Sequence, residues 1–115
     1  MRRDLTTALV AVATLCAAYA AAEDEKFTAA DVVAWDQTNQ DWYFEVAASM
    51  GAALASQNST ERARCINDWY FKDEDSRQEA NSYIREVMAR FPGYHPTLVM
   101  ISILEKECGS LVFTE

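Results

Sequence analysis

Few side chains in this sequence have the types and spacing that catalysis or metal binding requires. Histidine occurs once, as His95, directly before Pro96. A single imidazole without a second histidine or a free thiolate does not supply the ligands of the usual zinc sites. We therefore predict that no metal or other cofactor is bound, and that His95 caps or packs against the start of a helix.

The acidic run Asp73-Glu74-Asp75 offers three adjacent carboxylates. A calcium-binding loop needs a glycine at its sixth position, but counted from Asp73 that position is Gln78. We interpret the run as a solvated loop that leads into a helix. The sequence also contains no Gly-rich phosphate loop, no G-x-S-x-G motif and no H-E-x-x-H motif. We therefore expect a protein that is not an enzyme; a carboxylate pair that converges only in the fold is the alternative.

The start of the chain is typical of a secretory signal peptide. Arg2 and Arg3 form a basic start, an apolar stretch covers residues 5–18, and small residues follow. Cleavage after Ala20 or after Ala22 satisfies the small-x-small rule. A single membrane anchor is the alternative, although the apolar stretch is short for a span.

Removal of residues 1–22 leaves one helical domain over residues 23–115, which we expect to be periplasmic or secreted. Two cysteines remain in it, Cys65 and Cys108. In an oxidising compartment an even pair indicates a disulfide, with free thiols or an intermolecular pair as the alternatives. Closing a loop of about 44 residues would stabilise the domain by roughly 4 kcal/mol.

The composition limits the fold and the partners. The 115 residues carry 18 acidic and 10 basic side chains, half of the chain is apolar, and it contains three glycines and two prolines. That apolar content argues against disorder, and the scarcity of turn residues favours helices. The net charge of −8 argues against nucleic acid and against stable membrane association after cleavage, because phosphate groups attract clustered Lys and Arg.

The first helical pattern begins at Thr28, with Asp31 three positions later, close to a capping box. We expect this helix to extend to about Ala55 and to split or bend at residues 37–40 or at Gly51. Apolar residues at helical spacing form one stripe on it. The stripe consists of Val32, Trp35, Trp42, Val46 and Met50.

Three further helices are predicted. A short one begins around residues 58–61 and ends near Lys72; the next begins at the capping box of residues 76–79 and ends at Phe91, before Pro92-Gly93. The last starts at Pro96, is apolar nearly all round and ends at Cys108. Its β-branched residues leave a strand as the alternative. We expect it to be the central helix.

The apolar tail of residues 111–113 should pack back onto the helices. The predicted fold is thus all-α: a small four-helix domain with one disulfide, after a cleaved signal peptide.

The same four residues, Asp-Trp-Tyr-Phe, occur at positions 41–44 and 68–71. Four adjacent helical positions cover the whole circumference, so some of these rings should be exposed and available for protein contact. The alternative is that the rings fill gaps between helices. The candidate partner-binding residues are Trp42, Tyr43, Trp69, Tyr70, Asp73, Glu74 and Asp75.

Two stretches, residues 27–35 and residues 84–108 with their helix, Pro turn and helix closing on Cys108, resemble the Rap/Tai family of periplasmic immunity proteins. The resemblance implies a helical, non-enzymatic protein that binds and inhibits a peptidoglycan-cleaving toxin. Residues 95–99 are similar to the acid-stress chaperones of the HdeA type, which is the alternative function, beside an uncharacterised secreted helical protein. The expected partner is a protein, such as a basic hydrolase toxin, because acidic groups accelerate its association; a homodimer is also compatible.

Overall fold

The computed structural model describes residues 26–111; the predicted signal peptide and the end of the tail lie outside them. The elements are α1 (Ala29–Ala34), α2 (Gln37–Ser56), α3 (Thr60–Ile66), a π-helical turn (Asn67–Phe71), α4 (Glu74–Arg90) and α5 (Pro96–Cys108). The all-α class is confirmed, but the described part contains five α-helices rather than four. None of these helices combines the length and the hydropathy needed to cross a membrane.

The additional helix arises because the first predicted helix is divided between α1 and α2. Asp36 adopts an extended backbone and caps α2 by accepting a hydrogen bond from the Asn39 amide at 3.0 Å. The last carbonyl groups of α1 have no helical amide to accept from. The buried Gln40 side chain supplies the donor instead. Its Nε2 lies 2.9–3.1 Å from the carbonyl oxygens of Val32, Val33 and Trp35. The break falls at the edge of the polar stretch that the sequence marked.

The start of α1 is held by a distant part of the chain. The Thr28 amide donates to the Asp31 carboxylate at 2.9 Å, which forms half of the predicted capping box. The amide of Ala29 donates to the carbonyl of Tyr94 at 2.7 Å, and the amide of Ala30 donates to that of Pro92 at 3.1 Å. The loop between α4 and α5 therefore accepts from the free amides at the start of α1.

The next helix continues from α3 into the π-helical turn and ends before Lys72, as predicted. The start of α4 differs from the prediction, since the N-cap is Asp73 and not Ser76. The Asp73 carboxylate accepts from the Ser76 amide at 2.7 Å. An aspartate caps as well as a serine does, so the helix begins one turn earlier.

The boundaries of α5 agree with the sequence. Pro96 is in its first turn, and His95 is the N-cap, whose Nδ1 accepts from the Thr97 amide at 3.1 Å. The helix ends at Gly109, where a φ of 91° suits a residue without a Cβ.

Two groups of buried side chains form the core. The larger one joins α1, α2, α4 and α5 around Phe44, Tyr70 and Met88; the smaller one joins α2, α3 and α5 around Ile66 and Leu104. Because α2 and α5 contribute to both groups, these two helices connect them. Leu111 is buried in the smaller group, as expected for the tail; residues 112–113 lie outside the described part.

The disulfide between Cys65 and Cys108 is present, with the two Cα atoms 5.7 Å apart. It ties the short helix α3 to the end of α5. A seven-residue helix is not stable alone in water, so this bond and the smaller core group hold α3 in place.

Candidate functional site

The most exposed large apolar side chains of α2 lie in one row. Trp42, Val46, Met50 and Leu54 are 65%, 37%, 63% and 47% exposed. Their spacing of four residues places them along one side of the helix, over a length of about 18 Å. We call this row the α2 stripe. The sequence indicated an apolar stripe that includes three of these residues, but in the structure this stripe faces solvent.

The stripe is exposed because a second face of α2 packs into the core. That face carries the buried residues Phe44, Ala48, Gly51, Ala52 and Ala55. Most of them are small, which lets α2 approach α5 closely. A Cβ at Gly51 would overlap the end of the Leu104 side chain, so the side chain of Leu104 occupies the space beside this glycine.

Between the α2 stripe and α5 lies an apolar groove of about 310 Å³. Trp42 borders one end and Leu54 the other, and Met100 and Leu104 of α5 line it. Leu111 also contributes to its lining. An open apolar groove along a helix has the shape that accepts an amphipathic helix of a partner.

A second depression, which we call the polar cleft, lies between α2 and α4 and has a volume of about 600 Å³. Trp42 borders both the apolar groove and the polar cleft. Arg85 of α4 donates to the Asp41 carboxylate at 2.6 Å across the cleft. This ion pair is partly shielded from water and joins the two helices directly.

The remaining charges of the polar cleft come mostly from the first turn of α4. Arg77 pairs with Glu74, which lowers the pKa of the carboxyl and raises that of the guanidinium. Glu45 of α2 adds a third carboxylate. Among residues 26–111, no group of three or more potential ligands is placed to hold a metal ion.

No protein-family model, curated protein or solved structure matches this chain.

The candidate partner-binding residues do not converge on one surface. Trp42 and Tyr43 line the apolar groove, where the Tyr43 hydroxyl lies 2.8 Å from that of Thr97. Trp69 is half-buried and packs against both core groups. It lines a separate depression next to Lys72. Trp42 and Trp69 therefore line different depressions of the surface.

Tyr70 is a correction to the predicted site. It is fully buried, and its hydroxyl donates to the Asn81 side-chain oxygen at 2.7 Å. Burial raises the pKa of Tyr70 to about 12. The hydrogen bond with Asn81 lowers this pKa, but its effect is smaller. A side chain sealed in the core is not available to a partner, so Tyr70 belongs to the packing of the domain.

The three predicted acidic residues have different surroundings. Asp73 is the N-cap of α4, and hydrogen bonds from the Ser76 amide and hydroxyl lower the pKa of its carboxyl. Glu74 pairs with Arg77 and borders the polar cleft, while Asp75 is exposed. Of the predicted residues, the structure thus brings Trp42 and Glu74 to one cleft and Trp42 and Tyr43 to one groove.

Met50 and Leu54 line the groove but are absent from the predicted contact residues. A signal for them exists in the sequence. Ala48 and Ala52 follow Phe44 at intervals of four residues, so they lie on the same face of the helix as Phe44 and are small. A helix with one face of small residues and another of large ones can bury the small face and expose the large one.

Proposed function

We propose that the chain is an exported, non-enzymatic interaction protein that binds a partner protein in the apolar groove. The observation that carries this proposal is the α2 stripe, in which four large apolar side chains lie exposed in one row. Apolar residues scattered singly over a surface are ordinary, whereas a contiguous patch indicates a contact surface.

The charges around the groove define the partner's chemistry. After Glu45, α2 carries no charged side chain, so the groove itself is neutral. At its Trp42 end lie Asp41, Glu45 and Glu74 of the polar cleft. We infer an amphipathic helix whose apolar residues enter the groove and whose basic side chains face the Trp42 end. The net charge of −8 accelerates association with such a partner.

The class of partner follows from the family resemblance. A relationship to the Rap/Tai immunity proteins would make the partner a peptidoglycan-cleaving toxin. Two features support an exported protein of this kind: the signal-peptide pattern of residues 1–22 and the disulfide, which is typical of oxidising compartments.

The test uses the oxidised chain of residues 23–115 at neutral pH, first to capture a partner and then to assay it. We expect a hydrolase that the chain inhibits at a one-to-one ratio. Met50→Glu places a charge in the middle of the groove and should weaken binding about thirtyfold, as for a buried contact residue. The matched control is Leu98→Glu, since Leu98 is similarly exposed (51%) on α5 but does not line this groove.

Equal inhibition by wild type and by Met50→Glu would refute the groove as the binding surface. A captured hydrolase that retains full activity would refute the inhibitory function. Protection of client proteins below about pH 3, with no partner at neutral pH, would instead support the acid-stress chaperone, because carboxylates are protonated there.

A further inference from the structure

The polar cleft has features that the binding of a helix in the apolar groove does not use. Its walls contain donors and acceptors: the guanidinium groups of Arg77 and Arg85 from α4 and the carboxylates of Asp41, Glu45 and Glu74. Three negative and two positive charges nearly cancel. An anionic ligand would be repelled by the carboxylates, whereas a neutral ligand with many hydroxyl groups can use both the donors and the acceptors.

Asn81 adds a fixed donor to the cleft. It is only 3% exposed, and its side-chain oxygen accepts from the Tyr70 hydroxyl. Within the described part of the chain its Nδ2 donates no hydrogen bond. Every fully buried side-chain nitrogen in that part has a hydrogen-bond partner, so the Asn81 Nδ2 is not fully buried. The Nδ2 is therefore open to the cleft that Asn81 lines. The hydrogen bond from the buried Tyr70 hydroxyl thus fixes the orientation of the Asn81 amide.

Trp42 supplies an apolar face at the border of the same cleft. Its indole is 65% exposed, and no ring of the described residues stacks on it. The C–H face of a pyranose ring is apolar while its edge carries hydroxyl groups. An exposed indole beside fixed amide, carboxylate and guanidinium groups matches both parts of such a ring.

We propose that the polar cleft binds a neutral saccharide, with one sugar ring against Trp42 and hydroxyl groups held by the side chains of Asn81, Glu45 and Gln78 and by the Asp41–Arg85 pair. The volume of about 600 Å³ lies within the usual range of small-molecule sites. The inference does not rest on the protein-binding function, because Asn81, Gln78 and Arg85 line the cleft but not the groove, although Trp42 borders both and the cleft carboxylates also face the proposed partner.

The experiment follows the side-chain indole N–H signals of the oxidised chain of residues 23–115 by NMR. Its three tryptophans are Trp35, Trp42 and Trp69. Cellotetraose, maltotetraose and tetra-N-acetylchitotetraose are titrated separately to about 10 mM, a range that detects weak binding. We expect at least one of them to shift the Trp42 signal saturably while the Trp69 signal stays in place as an internal control.

Variants then locate the site. Glu45→Ala and Gln78→Ala each remove a side chain that lines the cleft, and we expect each to weaken binding about fivefold to tenfold, as the loss of a hydrogen-bond partner does. Trp42→Ala should abolish the saturable response, measured on the Asn81 side-chain signal. Met50 lines the apolar groove but not the polar cleft. Met50→Glu should therefore leave saccharide binding unchanged, which separates the binding of a saccharide from the binding of a partner protein.

Absence of any saturable shift with all three tetrasaccharides would overturn the proposal. So would binding that Glu45→Ala and Gln78→Ala leave unchanged in folded protein. Argininamide is titrated in parallel, and a Trp42 shift with this cation but with none of the sugars would show that the cleft selects positive charge instead.

Discussion

The two Asp-Trp-Tyr-Phe segments have identical sequences but bury different rings. In residues 41–44, on α2, Phe44 is buried and Trp42 is exposed. In residues 68–71, within the π-helical turn, Tyr70 is buried and Phe71 is exposed. The buried ring is the last of the four residues in one segment and the third in the other.

The difference comes from the residues that precede each segment. Gln40 is buried four positions before Phe44, and Ile66 is buried four positions before Tyr70. Residues four apart lie on the same side of a helical turn, so each preceding residue selects which ring enters the core. Orientation therefore depends on the longer helical pattern and not on the four residues themselves.

The largest effect is expected from removal of the disulfide, which should loosen the second segment more than the first. Replacing Cys65 and Cys108 by serine should cost about 4 kcal/mol of unfolding free energy, measured by urea denaturation. Because Cys65 lies just before the second segment, amide hydrogen exchange at residues 68–71 should increase more than at residues 41–44. An equal increase at both would show that the bond stabilises the domain as a whole.

The next effect compares the two phenylalanines. Phe44→Ala opens a cavity in the larger core group and should cost about 3–5 kcal/mol. Phe71→Ala removes a ring that is more than a third exposed, and it should cost about 1 kcal/mol or less. Denaturation midpoints at constant slope measure both, and similar losses would contradict the assigned orientations.

The two tyrosines should differ less. Tyr70→Phe leaves the Asn81 side-chain oxygen without its buried donor and should cost about 1–3 kcal/mol. Tyr43→Phe removes an exposed contact with Thr97 and should cost less than about 0.5 kcal/mol. The double variant Tyr70→Phe, Asn81→Leu tests the cause, since removal of both polar groups should recover part of the loss.

Alkaline titration gives a further comparison. The pKa of Tyr70 is raised to about 12 from an ordinary value of 10.0, so the folded state keeps a proton that the unfolded state releases. The stability from this group is fully present below about pH 10 and is lost as the pH rises toward 12. Ultraviolet absorbance of phenolate should show a tyrosine that ionises near pH 12, and this signal should be absent in Tyr70→Phe. Its disappearance in Tyr43→Phe instead would reverse the assignment.

The smallest effect on stability is expected at Trp42. Its ring is exposed, so Trp42→Ala should change the unfolding free energy by no more than about 0.5 kcal/mol. Trp69→Ala should cost more, since that ring packs against both core groups. If Trp42→Ala proved as destabilising as Trp69→Ala, the α2 stripe would have to be part of the core.

The sequence predicted the structure correctly where a local pattern of residues has only one interpretation. The proline and glycine boundaries of α5, the end of α4 before Pro92 and the pairing of Cys65 with Cys108 were all predicted correctly. These features depend on residues close to the position concerned, or on two cysteines in one domain.

Three features that the sequence left open depend on contacts between elements. The break before α2 depends on Gln40 reaching back to α1, and the burial of Tyr70 depends on Asn81. Met50 is exposed, whereas the adjacent Gly51 packs against Leu104 of α5. Helical periodicity alone does not specify which of these two faces of α2 is buried.

The hydrogen bonds at the start of α1 affect how the chain assembles. The acceptors for the amides of Ala29 and Ala30 are the carbonyls of Tyr94 and Pro92, in the loop before α5. Among the described helices α1 is the first in the chain, yet its first turn is completed by a loop that follows α2, α3 and α4. Because contacts between distant parts of a chain form slowly, we expect α1 to dock late in folding, onto helices that are already assembled.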